Sequence, residues 1–173
     1  IGTMTYITKN GKFGALGHGL KDADTGTLMD MRDGELYQTK ILDIIKGKSG
    51  APGELEGYIN MVAKECIGKI EKNTQLGIFG TLLEEKADKR EYYEVGLRQD
   101  IKLGKAWIYS NIEGTPQKYE IQIEKLNRTS KDNKGMVIRV TDKRLLALTG
   151  GIVQGMSGSP LLQDGRLVCA VTH

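Results

Sequence analysis

The chain is predicted to fold as an all-β protein, a barrel or sandwich carrying one or two short helices. Three observations predict this. Short apolar segments rich in β-branched residues recur from one end to the other, and turns containing Gly, Asn and Asp separate them. Helix formers gather in only two places, residues 82–90 and 141–150. At 173 residues the chain is long enough for one sizeable core, or for two small barrels that share an interface.

Residues 3–8 (TMTYIT) alternate and are β-branched, Asn10-Gly11 is a turn pair, and residues 12–16 resume the extended pattern. This first hairpin delivers His18 in the sequence Gly17-His18-Gly19, where neither neighbour has a side chain to shield the imidazole. Residues 21–34 are acidic and turn-rich. Asp22, Asp24, Asp30 and Asp33 do not follow the EF-hand order, and Lys21 and Arg32 interrupt them, so a solvated loop is expected. Residues 35–46 alternate as a single strand and end at a glycine-dense loop, residues 47–53. The order of Gly, Lys and Ser there does not fit a phosphate loop.

Residues 58–62, 66–70 and 76–81 are short and apolar enough for strands, whereas residues 82–90 (LLEEKADKR) are too short and too charged to predict a firm helix. Residues 92–95, 105–111, 117–126 and 136–140 are again extended. Strict alternation through residues 119–124 predicts one buried and one wet face. Residues 141–150 (TDKRLLALTG) read as a short helix with Asp142 as N-cap and Gly150 after its end. Beyond it comes a Gly-rich turn around a serine, then two apolar runs, residues 160–163 and 166–171, joined by Asp164-Gly165 as a hairpin.

Composition narrows the function. Lys+Arg 25 against Asp+Glu 22 leaves a net charge of +3 in mixed sign, which argues against a nucleic-acid stripe and against a membrane-binding patch. No run approaches the roughly 18 apolar residues of a membrane helix. Cys66 and Cys169 lack metal-ligand spacing and, with apolar neighbours, are expected as buried thiols; no cofactor is called for. The chemistry gathers at residues 155–160 (GMSGSP). Glycines there let the backbone bend so that amide groups face one spot beside the Ser157 hydroxyl, the layout of a serine nucleophile with its oxyanion hole. A serine needs a base, and the chain has two histidines, His18 and His173. The Gly-flanked His18 is the candidate.

The GMSGSP segment resembles the GDSGGP box of chymotrypsin-like peptidases, and RLVCAVTH resembles the strand that follows that box. FGALGHGL near the start, TDKRLLALTGGIVQGMSGSP near the end and the terminal AVTH are together similar to the SpoIVB peptidase family of spore-forming bacteria. That resemblance implies a chymotrypsin-like double β-barrel, its halves divided at about residues 82–104, with His18 on the first barrel and Ser157 on the second. It places oxyanion donors at the backbone amides of Gly155 and Ser157, and a substrate-aligning strand at Thr172 and His173. The family pattern puts the triad acid fifteen positions before the serine, at Asp142, although the same residue reads as a helix cap; by chain order Asp43 is the alternative. Met156 stands where the box has aspartate, so activation by a newly formed N-terminal amine is not expected. Ser159, in place of the second glycine, is expected to be structural.

The resemblance also implies the biology. Such enzymes work outside the cytoplasm, between the forespore and mother-cell membranes, on themselves and on a membrane-associated regulator. Cutting that regulator releases an intramembrane protease that activates a late sigma factor. A membrane anchor and a PDZ module are expected before this stretch and a further strand after it, with membrane association confined to those outer segments. A non-catalytic β module that holds a peptide by edge addition is the alternative function.

Overall fold

The computed structural model describes residues 1–31, 33–83, 91–130 and 134–172. Strands β1 (Met4–Ile7), β2 (Lys12–Ala15), β3 (Gly34–Tyr37), β6 (Cys66–Thr74) and β7 (Gly77–Leu82) form one antiparallel sheet in the order β1-β2-β7-β6-β3. The β1–β2 turn closes as the Asn10-Gly11 pair requires, with Gly11 at φ 76° and its N–H on the Thr8 carbonyl. This sheet buries Phe13, Ala15, Leu16, Ile70 and Ile78, with Met4, Ile7, Leu20, Met31, Leu36 and Leu82 packed around them.

A second sheet runs β11 (Met136–Val140), β10 (Gln117–Leu126), β9 (Gly104–Ser110), β12 (Pro160–Gln163), β13 (Arg166–Ala170) and β8 (Glu94–Val95). Its pairs are antiparallel except β13 with β8, which is parallel. The alternation of β10 is realised: Tyr119, Ile121 and Ile123 are buried against Ala106 and Ile108 of β9, while Glu124 faces solvent. Each fully buried isoleucine of this kind contributes about 1.5–3 kcal/mol of transfer free energy. A separate core results, with Leu145, Val153, Met156, Leu161 and Val171 in it.

Two strands, β4 (Thr39–Ile45) and β5 (Glu54–Ile59), form a sheet of their own, and Glu54 of β5 also makes a parallel bridge with Gln154. Leu55 of β5 enters the second core, and Ile41 and Ile44 of β4 pack against it. Residues 35–46 are therefore two strands broken at Gln38, the first paired with β6 and the second with β5. Alternation continues across the break because period reports which face is buried, not which sheet a residue joins. The strand expected at 58–62 lies at Glu54–Ile59 instead, followed by a single 3-10 turn, Ala63–Glu65. Only Leu55 of that strand is buried, so it has little hydrophobic period to read.

Helix α1 (Lys143–Thr149) is the one α-helix among the described residues, and the protein is all-β with two separately cored sheets, consistent with the chymotrypsin-like arrangement. Most of residues 82–90 lies outside the described residues. Cys66 is half-buried in β6 and Cys169 is exposed in β13, both as free thiols. The expectation that both would be buried is thus corrected, since position 169 alternates outward between Val168 and Ala170.

Candidate active site

The N-terminal sheet reaches the serine loop through its first residues. Thr3 N–H donates to the Ser157 carbonyl at 2.8 Å, Thr3 Oγ1 to the Gly155 carbonyl at 3.2 Å and Thr5 Oγ1 to the Gly158 carbonyl at 2.7 Å. Leu16 N–H then returns to the Thr3 carbonyl at 3.1 Å. Gly158, at φ 95°, lies so near this layer that a Cβ on it would stand 2.1 Å from Thr3 O and 2.6 Å from Leu16 N. A Cβ on Gly17 would meet Thr172 Cγ2 at 2.9 Å and Ala170 Cβ at 3.1 Å. The backbone leading into His18, the loop of Ser157 and the end of β13 are thereby brought to one place.

Ser157 is 3 % exposed. Its loop is tied down by Met156 N–H to Val153 O (3.1 Å), Gly158 N–H to Val171 O (2.8 Å) and Ser159 N–H to Met156 O (3.0 Å). The Gln154 carbonyl accepts from Leu55 N–H at 2.9 Å. A planar trans peptide sets N–H opposite C=O. With the carbonyls of Gln154 and Met156 anchored, the amides of Gly155 and Ser157 are therefore aimed away from those anchors. Gly155 holds φ 97°, a conformation that favours glycine, beside the Leu55 side chain. Met156, the residue in place of the box aspartate, is wholly buried in the second core, and Ser159 is wholly buried with no partner for its hydroxyl among the described residues.

His18 is half-buried and leaves a tight reversal. Leu16 has φ 71°, rare for a branched residue, and Gly17 N–H bonds back to the Ala15 carbonyl at 2.9 Å. That i to i+2 bond around a positive φ is a γ-turn of the strained kind. Gly19 on the other side has no room for a Cβ, which would stand 2.5 Å from Thr74 O. His18 Nδ1 is 3.1 Å from the Gly19 carbonyl. A carbonyl only accepts, so Nδ1 carries the hydrogen in that bond and Nε2 of the neutral ring holds the lone pair.

Asp142 caps α1. Its Oδ1 accepts from Arg144 N–H at 2.9 Å and Leu145 N–H at 3.1 Å, and its Oδ2 from Glu120 N–H at 3.3 Å. Gly150 ends the helix at φ 75°, with its N–H on Leu146 O. Asp43 is exposed on β4, its Oδ1 on the adjoining Ile44 N–H at 2.8 Å. Thr172 lies two residues beyond β13 with its methyl toward Gly17, and His173 lies outside the described residues. Among the described residues no group of three His, Cys, Asp or Glu side chains is arranged to hold a metal. The acidic loop has a local explanation: Asp22 Oδ1 accepts from Asp24 N–H, Thr25 N–H and Thr25 Oγ1, and these bonds to Thr25 hold its carboxyl below the usual range.

Sequence reasoning missed Thr3, Thr5 and Leu55, which hold the serine loop from outside. Threonine in a strand and leucine in a strand are both ordinary, and no local pattern marks the ones that reach across the molecule.

No curated protein and no solved structure matches the chain. The family described as SpoIVB peptidase S55 matches residues 1–173. The match takes in both the segment that carries His18 and the loop that carries Ser157, which the fold draws together. The chain belongs to the SpoIVB peptidase S55 family.

Proposed function

We propose that this peptidase is a serine endopeptidase in which Ser157 is the nucleophile and His18 the general base. The observation that carries it is the contact of the Leu16-Gly17 backbone with Gly158 and Thr172, which sets the histidine segment beside the serine loop. Nε2 of His18 takes the Ser157 Oγ proton as Oγ bonds the scissile carbonyl carbon, and the amides of Gly155 and Ser157 receive the oxyanion. When the tetrahedral species collapses, the C–N bond breaks and the imidazolium returns its proton to the departing amine. Water, deprotonated by His18, then hydrolyses the acyl-enzyme and frees Ser157. Thr172 and His173 line up the substrate backbone.

The family supports a role in sporulation. We place the enzyme between the forespore and mother-cell membranes, cutting itself and a membrane-associated regulator, so that an intramembrane protease is released to activate a late sigma factor. Ser157→Ala and His18→Ala are each expected to abolish cleavage, and the double variant to be no worse than either, because such residues act as a unit. A fluorophosphonate should label the wild type and not Ser157→Ala. Peptide binding that survives both substitutions, with no labelling, would instead identify a non-catalytic β module.

A further inference from the structure

Two residues beyond His18, Leu20 is held by a polar side chain that the reaction above leaves out. Asn73, the penultimate residue of strand β6, accepts from Leu20 N–H through Oδ1 at 2.8 Å. Its Nδ2 donates to Leu20 O at 2.8 Å and to Met29 O at 2.9 Å. The amide orientation is fixed by this set, since turning it over would put NH2 against N–H and oxygen against two carbonyls. The Leu20 N–H belongs to the same peptide plane as the Gly19 carbonyl, on its opposite edge. A hydrogen-bonded line therefore runs from Asn73 Oδ1 to Leu20 N–H, across that peptide, and from Gly19 O to His18 Nδ1. The γ-turn at Leu16 enters the histidine from the other side.

Resting on the Ser157–His18 reading, we propose that Asn73 is a positioning residue that orients the general base through the Gly19–Leu20 peptide. The Gly19 carbonyl holds the Nδ1 hydrogen and so leaves the lone pair on Nε2 to act as the base, the task a buried carboxylate performs in a Ser-His-Asp triad. Hydrogen bonding at the far edge of the peptide also polarises its carbonyl, which strengthens the bond to the ring. The Asp142 oxygens, by contrast, accept from the amides of Arg144, Leu145 and Glu120.

The test uses the whole chain labelled with 15N-histidine, the His18 resonances being assigned with His18→Ala. Neutral His18 is expected as the Nδ1-protonated tautomer in the wild type and in Asp142→Asn, and as a tautomer mixture in Asn73→Ala. Turnover by Asn73→Ala should fall on the order of 10²-fold in kcat with KM little changed, the effect of a displaced catalytic group. An Nε2-protonated His18 in the wild type overturns the proposal. So does a tautomer that moves in Asp142→Asn, or wild-type kcat in a folded Asn73→Ala. Should Asn73→Ala fail to fold, the wild-type and Asp142→Asn spectra decide alone. Cleavage by Ser157→Ala would instead strike down the nucleophile assignment, which these spectra do not touch.

Discussion

At Gly158 the two sheets touch backbone to backbone, and the absence of a side chain is what lets them. A Cβ there would need Thr3 O and Leu16 N to retreat, and the residue sits at φ 95° as well. A non-glycine residue held in such a region costs on the order of 1–3 kcal/mol. Leu16 cannot retreat without carrying His18 with it. Gly158→Ala is therefore expected to lower the melting temperature and to lower kcat further than the lost stability explains at a temperature where it remains folded. Full activity in a destabilised Gly158→Ala would separate the glycine from the placement of His18. The serine, its glycines and the Gly-flanked histidine were legible because each is unusual in its local context. Asn73 was not, since an asparagine before a turn is ordinary.

Among the elements, the hairpins with Asn-Gly and Asp-Gly turns and the long alternating β10 were legible, because their period and turn chemistry agree. The passage from β3 to β4 was hidden, as was the pairing of β5 with the stretch before the serine through Leu55 and Gln154, since both depend on distant partners. Helix α1 was readable from both caps, and it carries a test of Asp142. Asparagine replaces an aspartate cap with little loss, whereas alanine costs about 1 kcal/mol. Asp142→Ala is expected to melt lower than the wild type, and Asp142→Asn to keep both its melting temperature and its cleavage rate. If Asp142 were the triad acid, Asp142→Asn would lose roughly 10⁴-fold in turnover through the wrong imidazole tautomer while folding normally.

The whole molecule joins a small core to a larger one, and its stability in acid reports how firmly they are coupled. Five buried apolar residues centre the first core, fewer than centre the second. Such a small sheet depends on its docking through Thr3, Thr5 and Gly158. Each sheet carries one carboxylate held below its ordinary range. Glu71 is held by bonds from Thr81 and Lys12, and Glu120 by bonds from Lys105 and Thr141. Unfolded glutamate takes up its proton near pH ~4.3, and the folded groups only lower. Their contribution is therefore complete above about pH 5 and is lost as the pH falls through the folded values. Glu71→Gln should flatten the acid limb of the stability curve, modestly, because the pair with Lys12 is exposed. Trp107, the single tryptophan, lies on β9 of the second sheet, far in sequence from Glu71. If the sheets unfold as one unit, acid unfolding followed by Trp107 fluorescence and by far-ultraviolet circular dichroism will share one midpoint, and Glu71→Gln will move both together. A circular-dichroism transition that precedes the fluorescence change, with Glu71→Gln shifting only the first, would show that the histidine-bearing sheet can come away while the serine-bearing sheet stays folded.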